Sequence, residues 1–370
     1  MIYLDYNATT PHDPEVIEAM RPYLEHDFGN PSSTHAFGER PRRAVAAARR
    51  AVAELIGAGA EEVVFTGGGT EANNYAVIGA ARARRGEGNH IITSAIEHPA
   101  VLEPCAALAR EGFEVTRLPV DKHGLVSSAE VEAALRPDTV LISVMHANNE
   151  IGTVQPIAEI AAVAHAHGAL MHTDAAQSLG KIPVDVDELG VDLLTVAGHK
   201  LYAPKGVGAL YLRSGVTLEN LVHGGGQEGG RRPGTENVLE IAGLGAACAV
   251  AKRDLERNAE VMRTTRDLLH ERLAVSAELR LNGHPEKRLP NTLNVSLRGV
   301  DAGALLAALR DRVAASAGSA CHADAVAASP VIRALGVADD WAMGTVRFST
   351  GKFTTNEEIE RAAELILNAR

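Results

Sequence analysis

Val63-Val64-Phe65-Thr66-Gly67-Gly68-Gly69-Thr70-Glu71-Ala72-Asn73-Asn74 is the stretch on which the fold turns. Its first four residues read as a strand, the three glycines as a tight turn, and the run from Thr70 as a helix. Glycines let backbone N–H groups approach an anion, and a helix N-terminus favours negative charge. The segment lacks the GK[ST] ending of a P-loop. It does have the G-x-G-x-x-A form of a dinucleotide-binding turn, and Glu97 follows the next strand. Read alone, it is as good a tight turn as a phosphate cradle.

Outward from this stretch, strands and helices alternate. Short apolar runs at 91–93, 113–118, 140–144, 169–173, 192–196 and 207–212 read as strands, and 100–111 and 156–167 read as helices between them. Asp13-Pro14 pairs an N-cap with proline at the first helical turn, which predicts a helix to about Glu25. The alanine-rich run 44–53 is helical by propensity. The βαβα rhythm predicts an α/β protein with a mainly parallel, mixed sheet covered on both faces. After Gly234 the pattern changes to a long alanine-rich helix, a strand at 292–296, a helix at 302–309, a strand at 346–349 and a last helix. Two domains are therefore expected. A large one spans 14–248, and a small α+β one combines 1–13 with 249–370.

Composition narrows the function classes. The 370 residues are 46% hydrophobic and 22% charged, as in an ordinary globular protein. Lys and Arg number 36 against 47 Asp and Glu, a net charge of −11, so no basic surplus invites nucleic acid. No apolar run reaches membrane-spanning length, and MIYLDYNATTP is no signal peptide, which places the expected protein in the cytoplasm. Three separated cysteines make neither a disulfide framework nor a CxxC site. A metal site is not expected either, because His165 and His167 are two apart on one helix and point to different faces, while His172 lies on the next strand.

Two further strand ends carry chemistry. His172-Thr173-Asp174-Ala175-Ala176-Gln177 closes a strand with an acid, and Ala197-Gly198-His199-Lys200 follows another with a lysine. Taken singly, Asp174 is an ordinary helix N-cap and Lys200 an ordinary solvated lysine. Together with the glycine turn they are the three parts needed to hold pyridoxal phosphate: a cradle for the phosphate, an acid for the pyridine nitrogen and an amine for the aldehyde. A nicotinamide enzyme, the rival suggested by G-x-G-x-x-A, has no use for that acid and lysine.

With these motifs the chain resembles the class V aminotransferase-like enzymes of the type I pyridoxal-phosphate fold, and among them the cysteine desulfurases. The resemblance covers nearly the whole chain. It rests on Leu4-Asp5-Tyr6-Asn7-Ala8-Thr9-Thr10, Gly29-Asn30-Pro31-Ser32-Ser33, the glycine cradle, Glu97-His98 and Asn148-Asn149-Glu150-Ile151-Gly152. It continues through Asp174, Gly198-His199-Lys200, Arg232-Pro233-Gly234-Thr235, Ser319-Ala320-Cys321 and Val346-Arg347-Phe348-Ser349. The resemblance implies that Lys200 carries the cofactor aldehyde, Asp174 pairs with the pyridine nitrogen, and His98 stacks on the ring and moves protons. It implies that Gln177 bonds the ring's phenolic oxygen, and that Gly69, Thr70 and His199 hold the phosphate with Thr235 reaching it from a second subunit of a homodimer. Asn149 contacts cofactor and substrate, and Arg347 takes the substrate carboxylate, for which its planar fork is suited.

The implied reaction converts L-cysteine to L-alanine and leaves sulfur on Cys321 as a persulfide, for an acceptor protein in iron–sulfur cluster or thio-cofactor assembly. Cys321 stands apart from the other thiols. Cys105 and Cys248 have apolar neighbours at helical spacing, whereas Cys321 sits among small residues beside His322, in a stretch suited to a mobile thiolate. Two departures from the family pattern stand out. Ala197 replaces the usual hydroxyl side chain two residues before Lys200's neighbour in the phosphate site. The run Ala320-Cys321-His322-Ala323-Asp324, with Gln227 and Arg232-Pro233-Gly234-Thr235-Glu236-Asn237, is closer to the selenocysteine lyase branch, so release of selenium from L-selenocysteine is the alternative activity. With Arg370 as its last residue, the chain is expected to lack the longer tail by which some members dock a scaffold.

Overall fold

The computed structural model describes residues 1–317 and 329–369. Its centre is a seven-stranded sheet in the order Val63–Thr66, Gly208–Leu212, Leu193–Ala197, Leu170–Asp174, Thr139–Ser143, His90–Ser94, Glu114–Leu118. Only Gly208–Leu212 runs antiparallel to its neighbours, so the sheet is mixed and mainly parallel, as the alternation of elements predicts. Five of these strands are buried at every position, which is what a sheet covered on both faces requires. Alternate residues feed two cores. Val63, Phe65, Ile92, Ile142, Leu194 and Tyr211 face one, while Val64, Ile91, Leu141, Leu193 and Leu210 face the other.

A third core holds Leu4, Leu269, Leu293, Val346, Phe348 and Ile359 around a small antiparallel sheet ordered Thr345–Ser349, Thr292–Leu297, Leu279–Leu281. The N-terminus joins it through Ile2–Tyr3, which pairs in parallel with Val313–Ala314. One helix, Val238–Ser276, ties the cores together. Its Leu244, Cys248 and Ala251 pack in the large core, and its Leu269 and Leu273 in the small one.

The helix from Asp13 forms as read, at Pro14–Glu25, with the Asp13 carboxylate accepting from the Glu15 N–H at 2.7 Å. The helix after the glycine turn starts at Gly69 and continues through a π-helical turn at Tyr75–Gly79 to Ala83. Ile2–Tyr3, Leu279–Leu281, Val313–Ala314 and the helix Ser128–Ala134 are not apparent in the sequence pattern. Two or three residues carry no periodicity, and such strands exist only because a partner is held beside them.

Candidate active site

The carboxyl ends of the parallel strands converge on one side of the sheet, where doubly covered sheets place their ligands. Thr66 leads into Gly67-Gly68-Gly69, Ser94 into the helix capped by His98, Asp174 ends its strand, and Ala197 leads into the turn Gly198–Lys200. These ends surround a cavity of about 540 Å³. Gly69, Thr70, His98, Asn149, Asp174, Gln177, His199, Lys200 and Arg347 all line it.

The glycine turn is shaped by backbone demands. Gly68 has φ 141°, which side chains disfavour, and a Cβ on Gly69 would lie 2.9 Å from the Cβ of Ala197. The small residue at 197, at the end of Leu193–Ala197, is thus the neighbour that lets the turn close down. The turn is tied down by Glu71, which accepts from the Gly67 N–H at 2.7 Å and pairs with the Arg232 guanidinium at 2.8 Å. Thr235 is not at the main cavity. It lines a neighbouring cavity of about 180 Å³ that shares Gly67, Gly206 and Val207 with the first.

Asp174 is 6% exposed, and both its oxygens are held. Oδ2 accepts from Asn73 Nδ2 at 2.7 Å and Oδ1 from the Ala176 N–H at 2.9 Å. His98 caps its helix with the ring itself, Nδ1 accepting from the Ala100 N–H at 3.0 Å. Burial, with Lys200 adding to it and Asp174 opposing, depresses the His98 pKa. The neutral ring with Nδ1 engaged as an acceptor carries its proton on Nε2. His199 is held below its usual range at about 4, by burial first and then by Lys200, Lys205, Lys181 and His98. Its Nδ1 lies 3.2 Å from Thr9 Oγ1.

Arg347 is 2% exposed and reaches across from the small sheet. Its Nη2 pairs with Asp5 at 2.7 Å, its Nη1 donates to the Asn149 carbonyl at 3.0 Å, and its buried Nε has no partner among the described residues. Asn7 stitches the same region, donating to the Asn149 carbonyl and to Thr292 Oγ1 and accepting from Gln177 Nε2 on its own carbonyl. Asn73, Asn7, Asp5 and Lys181 are the site residues that sequence reasoning passed over. Asn73, Asn7 and Asp5 stand inside the quoted motifs, but nothing in a linear motif says which side chain it will meet.

Cys105 and Cys248 are buried, and burial pushes both thiols up to about 12. Cys321 and His322 lie outside the described residues. The histidines weighed for a metal have other partners. His165 pairs with Asp192 at 2.9 Å, His167 Nε2 lies 2.6 Å from the Arg136 carbonyl, and His172 sits between Ser143 and Thr195.

The donor set fits pyridoxal phosphate. A buried acid with a preset orientation, a lysine on the next strand end, a turn with no room for a Cβ at Gly69 and a buried guanidinium whose Nε has no partner among the described residues share one cavity. The model of the family described as aminotransferase class-V matches residues 2–362. The chain belongs to the aminotransferase class-V family. A curated relative, the cysteine desulfurase IscS of Dictyoglomus turgidum, is 47% identical over 367 residues, covering 99% of this chain and 93% of the relative. A solved structure described as a NifS-like protein superposes with a TM-score of 0.94 at 36% identity, covering 99% of this chain and 98% of that one. Another, described as SspA in complex with cysteine, gives a TM-score of 0.85 at 39% identity over 96% of this chain and all 100% of that one. Class V membership disposes of the nicotinamide reading, and the desulfurase relatives favour cysteine over selenocysteine.

Proposed function

We propose that this class V chain is a pyridoxal phosphate-dependent cysteine desulfurase, converting L-cysteine to L-alanine with transfer of sulfur to a protein thiol. The observation that carries this reading is the shared cavity of Lys200, Asp174, His98 and Arg347. Lys200 would hold the cofactor's aldehyde, Asp174 its pyridine nitrogen, Gln177 its phenolic oxygen, and Gly69, Thr70 and His199 its phosphate. When bound, pyridoxal phosphate supplies the electron sink that makes an amino acid's α-proton removable.

The chain's own groups divide the remaining work. The Arg347 guanidinium receives the substrate carboxylate, with Asn149 beside it, and its buried Nε, without a partner among the described residues, is a donor already stripped of water. The Lys200 amine takes the α-proton. His98, kept neutral by burial and with its Nδ1 engaged by the Ala100 N–H, offers the cavity Nε2–H as a hydrogen-bond donor. Cys321 receives the sulfur. The Cβ–S bond of cysteine breaks, an S–S bond forms at the thiol, and the net change is L-cysteine plus enzyme thiol to L-alanine plus enzyme persulfide.

The wider assignments belong to the same reading. The protein acts as a homodimer in which Thr235 of one subunit serves the other, in the cytoplasm, and passes sulfur to an acceptor protein. Among the described residues no helix is long and apolar enough to cross a membrane. The domains divide as 14–248 and 1–13 plus 249–370, in keeping with the separate cores that share one long helix.

The test is direct. Purified protein loaded with the cofactor is to show a visible absorption band that borohydride bleaches, with the reduced adduct on Lys200, and to form alanine from L-cysteine. A colourless protein that forms no alanine after loading overturns the reading.

A further inference from the structure

Lys181 is 3% exposed, and the charged groups that act on it are the cations Lys200 and Arg347. Its Nζ donates to two atoms of one residue, the Gln177 carbonyl at 2.9 Å and Gln177 Oε1 at 3.1 Å. The other end of that carboxamide is also engaged, with Nε2 donating to the Asn7 carbonyl at 3.0 Å. A buried ammonium with no carboxylate partner among the described residues is costly to keep, so its position calls for a reason.

We propose that Lys181 is a positioning residue that locks the Gln177 carboxamide with Oε1 turned to the ammonium and Nε2 presented as a donor at the cavity wall. The alternative amide orientation fails twice. It sets an NH₂ group against an ammonium, which has only donors, and an amide oxygen against the Asn7 carbonyl, which has only lone pairs. Nε2 carries two hydrogens, and Asn7 uses one. The second is left for whatever acceptor stands in the cavity. Burial, then Lys200 and Arg347, bring the Lys181 amine down to about 7. The lock survives that titration, since a neutral amine still has two hydrogens for its two acceptors and the Asn7 carbonyl still turns away the flipped amide. His199, the other titratable neighbour, is itself held down partly by Lys181.

This inference rests on the pyridoxal phosphate reading, in which Gln177 Nε2 donates to the ring's phenolic oxygen. Without a fixed donor that oxygen becomes more basic, and the pH midpoint of the holoenzyme's visible band rises. Lys181→Met is expected to raise the midpoint by about 1 unit, the scale of one hydrogen bond to a charged group. Gln177→Ala is expected to do the same, and Lys181→Met is expected to add nothing in the Gln177→Ala background. An unchanged midpoint in Lys181→Met, or an equal further shift on top of Gln177→Ala, overturns the proposal, the latter showing that Lys181 acts by charge alone. If Lys181→Met does not fold, Lys181→Gln decides. Its amide can still donate to Gln177 Oε1, so the proposal requires it to keep the wild-type midpoint, and a shift as large as that of Gln177→Ala overturns it. Absence of any borohydride-sensitive band in the wild-type protein is a different failure, that of the cofactor reading, and removes both.

Discussion

Asp5 and Arg347 stand 342 residues apart in the chain and 2.7 Å apart in the fold. The carboxylate of the N-terminal segment grips one arm of the guanidinium that we assign to the substrate carboxylate, and the Asn149 carbonyl takes the other arm. A fork held at both arms is pre-oriented, and pre-orientation is what a bidentate contact needs.

Asp5→Ala is therefore expected to lower kcat/KM for L-cysteine by about tenfold or more, chiefly through KM. It also leaves a buried guanidinium without its counter-charge, at a stability cost of about 3 kcal/mol. Steady-state kinetics and urea unfolding read the two effects. Wild-type KM in the variant would show that Asp5 plays no part in substrate binding.

Asp174 and Asn73 form the second testable pair. Asp174→Ala is expected to slow deuterium exchange at the substrate α-carbon by about 10²–10³, the usual loss when a preorganised charge is removed. Asn73→Ala removes one of two holding bonds and leaves the Ala176 N–H in place, so a loss nearer tenfold is expected. NMR of recovered substrate checks both, and an exchange rate untouched by Asp174→Ala would refute its role at the ring nitrogen.

The sulfur acceptor can be mapped by mass. Cys105 and Cys248 are buried with thiols pushed up to about 12, so at pH 8 about one molecule in 10⁴ carries the thiolate. One added sulfur after exposure to L-cysteine is expected on Cys321 and on neither of the others. Cys321→Ala is expected to form no alanine from L-cysteine while still binding it. Sulfur recovered on Cys105 or Cys248 would contradict the assignment.

Glu97, fully buried beside the site, gives a pH prediction. Burial raises its carboxyl from 4.5 to about 8, against hydrogen bonds from Ser94 and the Met145 N–H. The folded state then holds a proton that the unfolded state releases above 4.5. This group's contribution is full below about 4.5, falls by roughly 1.4 kcal/mol per pH unit as pH rises, and is lost above about 8. Glu97→Gln cannot lose that proton, so its stability relative to wild type is expected to climb between pH 5 and pH 8, by on the order of the same slope. Urea midpoints across that range test the sign, and a constant difference would show that Glu97 does not titrate there.

Much of the molecule was legible in the residues before any coordinates. The helix from Pro14 to Glu25 follows from a local cap, and the main strands follow from apolar runs broken by glycine and polar turns, so nearest-neighbour chemistry suffices for both. The glycine turn, Asp174 and Lys200 could be grouped because each ends a strand, and parallel strands bring such ends to one side of a sheet whatever their separation in sequence. Tertiary structure alone decided which partner each side chain found: Asp5 on Arg347, Asn73 on Asp174, Lys181 on Gln177 and Asn7 between Asn149 and Gln177. It also set the protonation of Glu97, His98 and His199, because the largest influence on each is the water removed from around it. Desolvation is a property of everything packed against a group, and that packing is assembled from segments hundreds of residues apart.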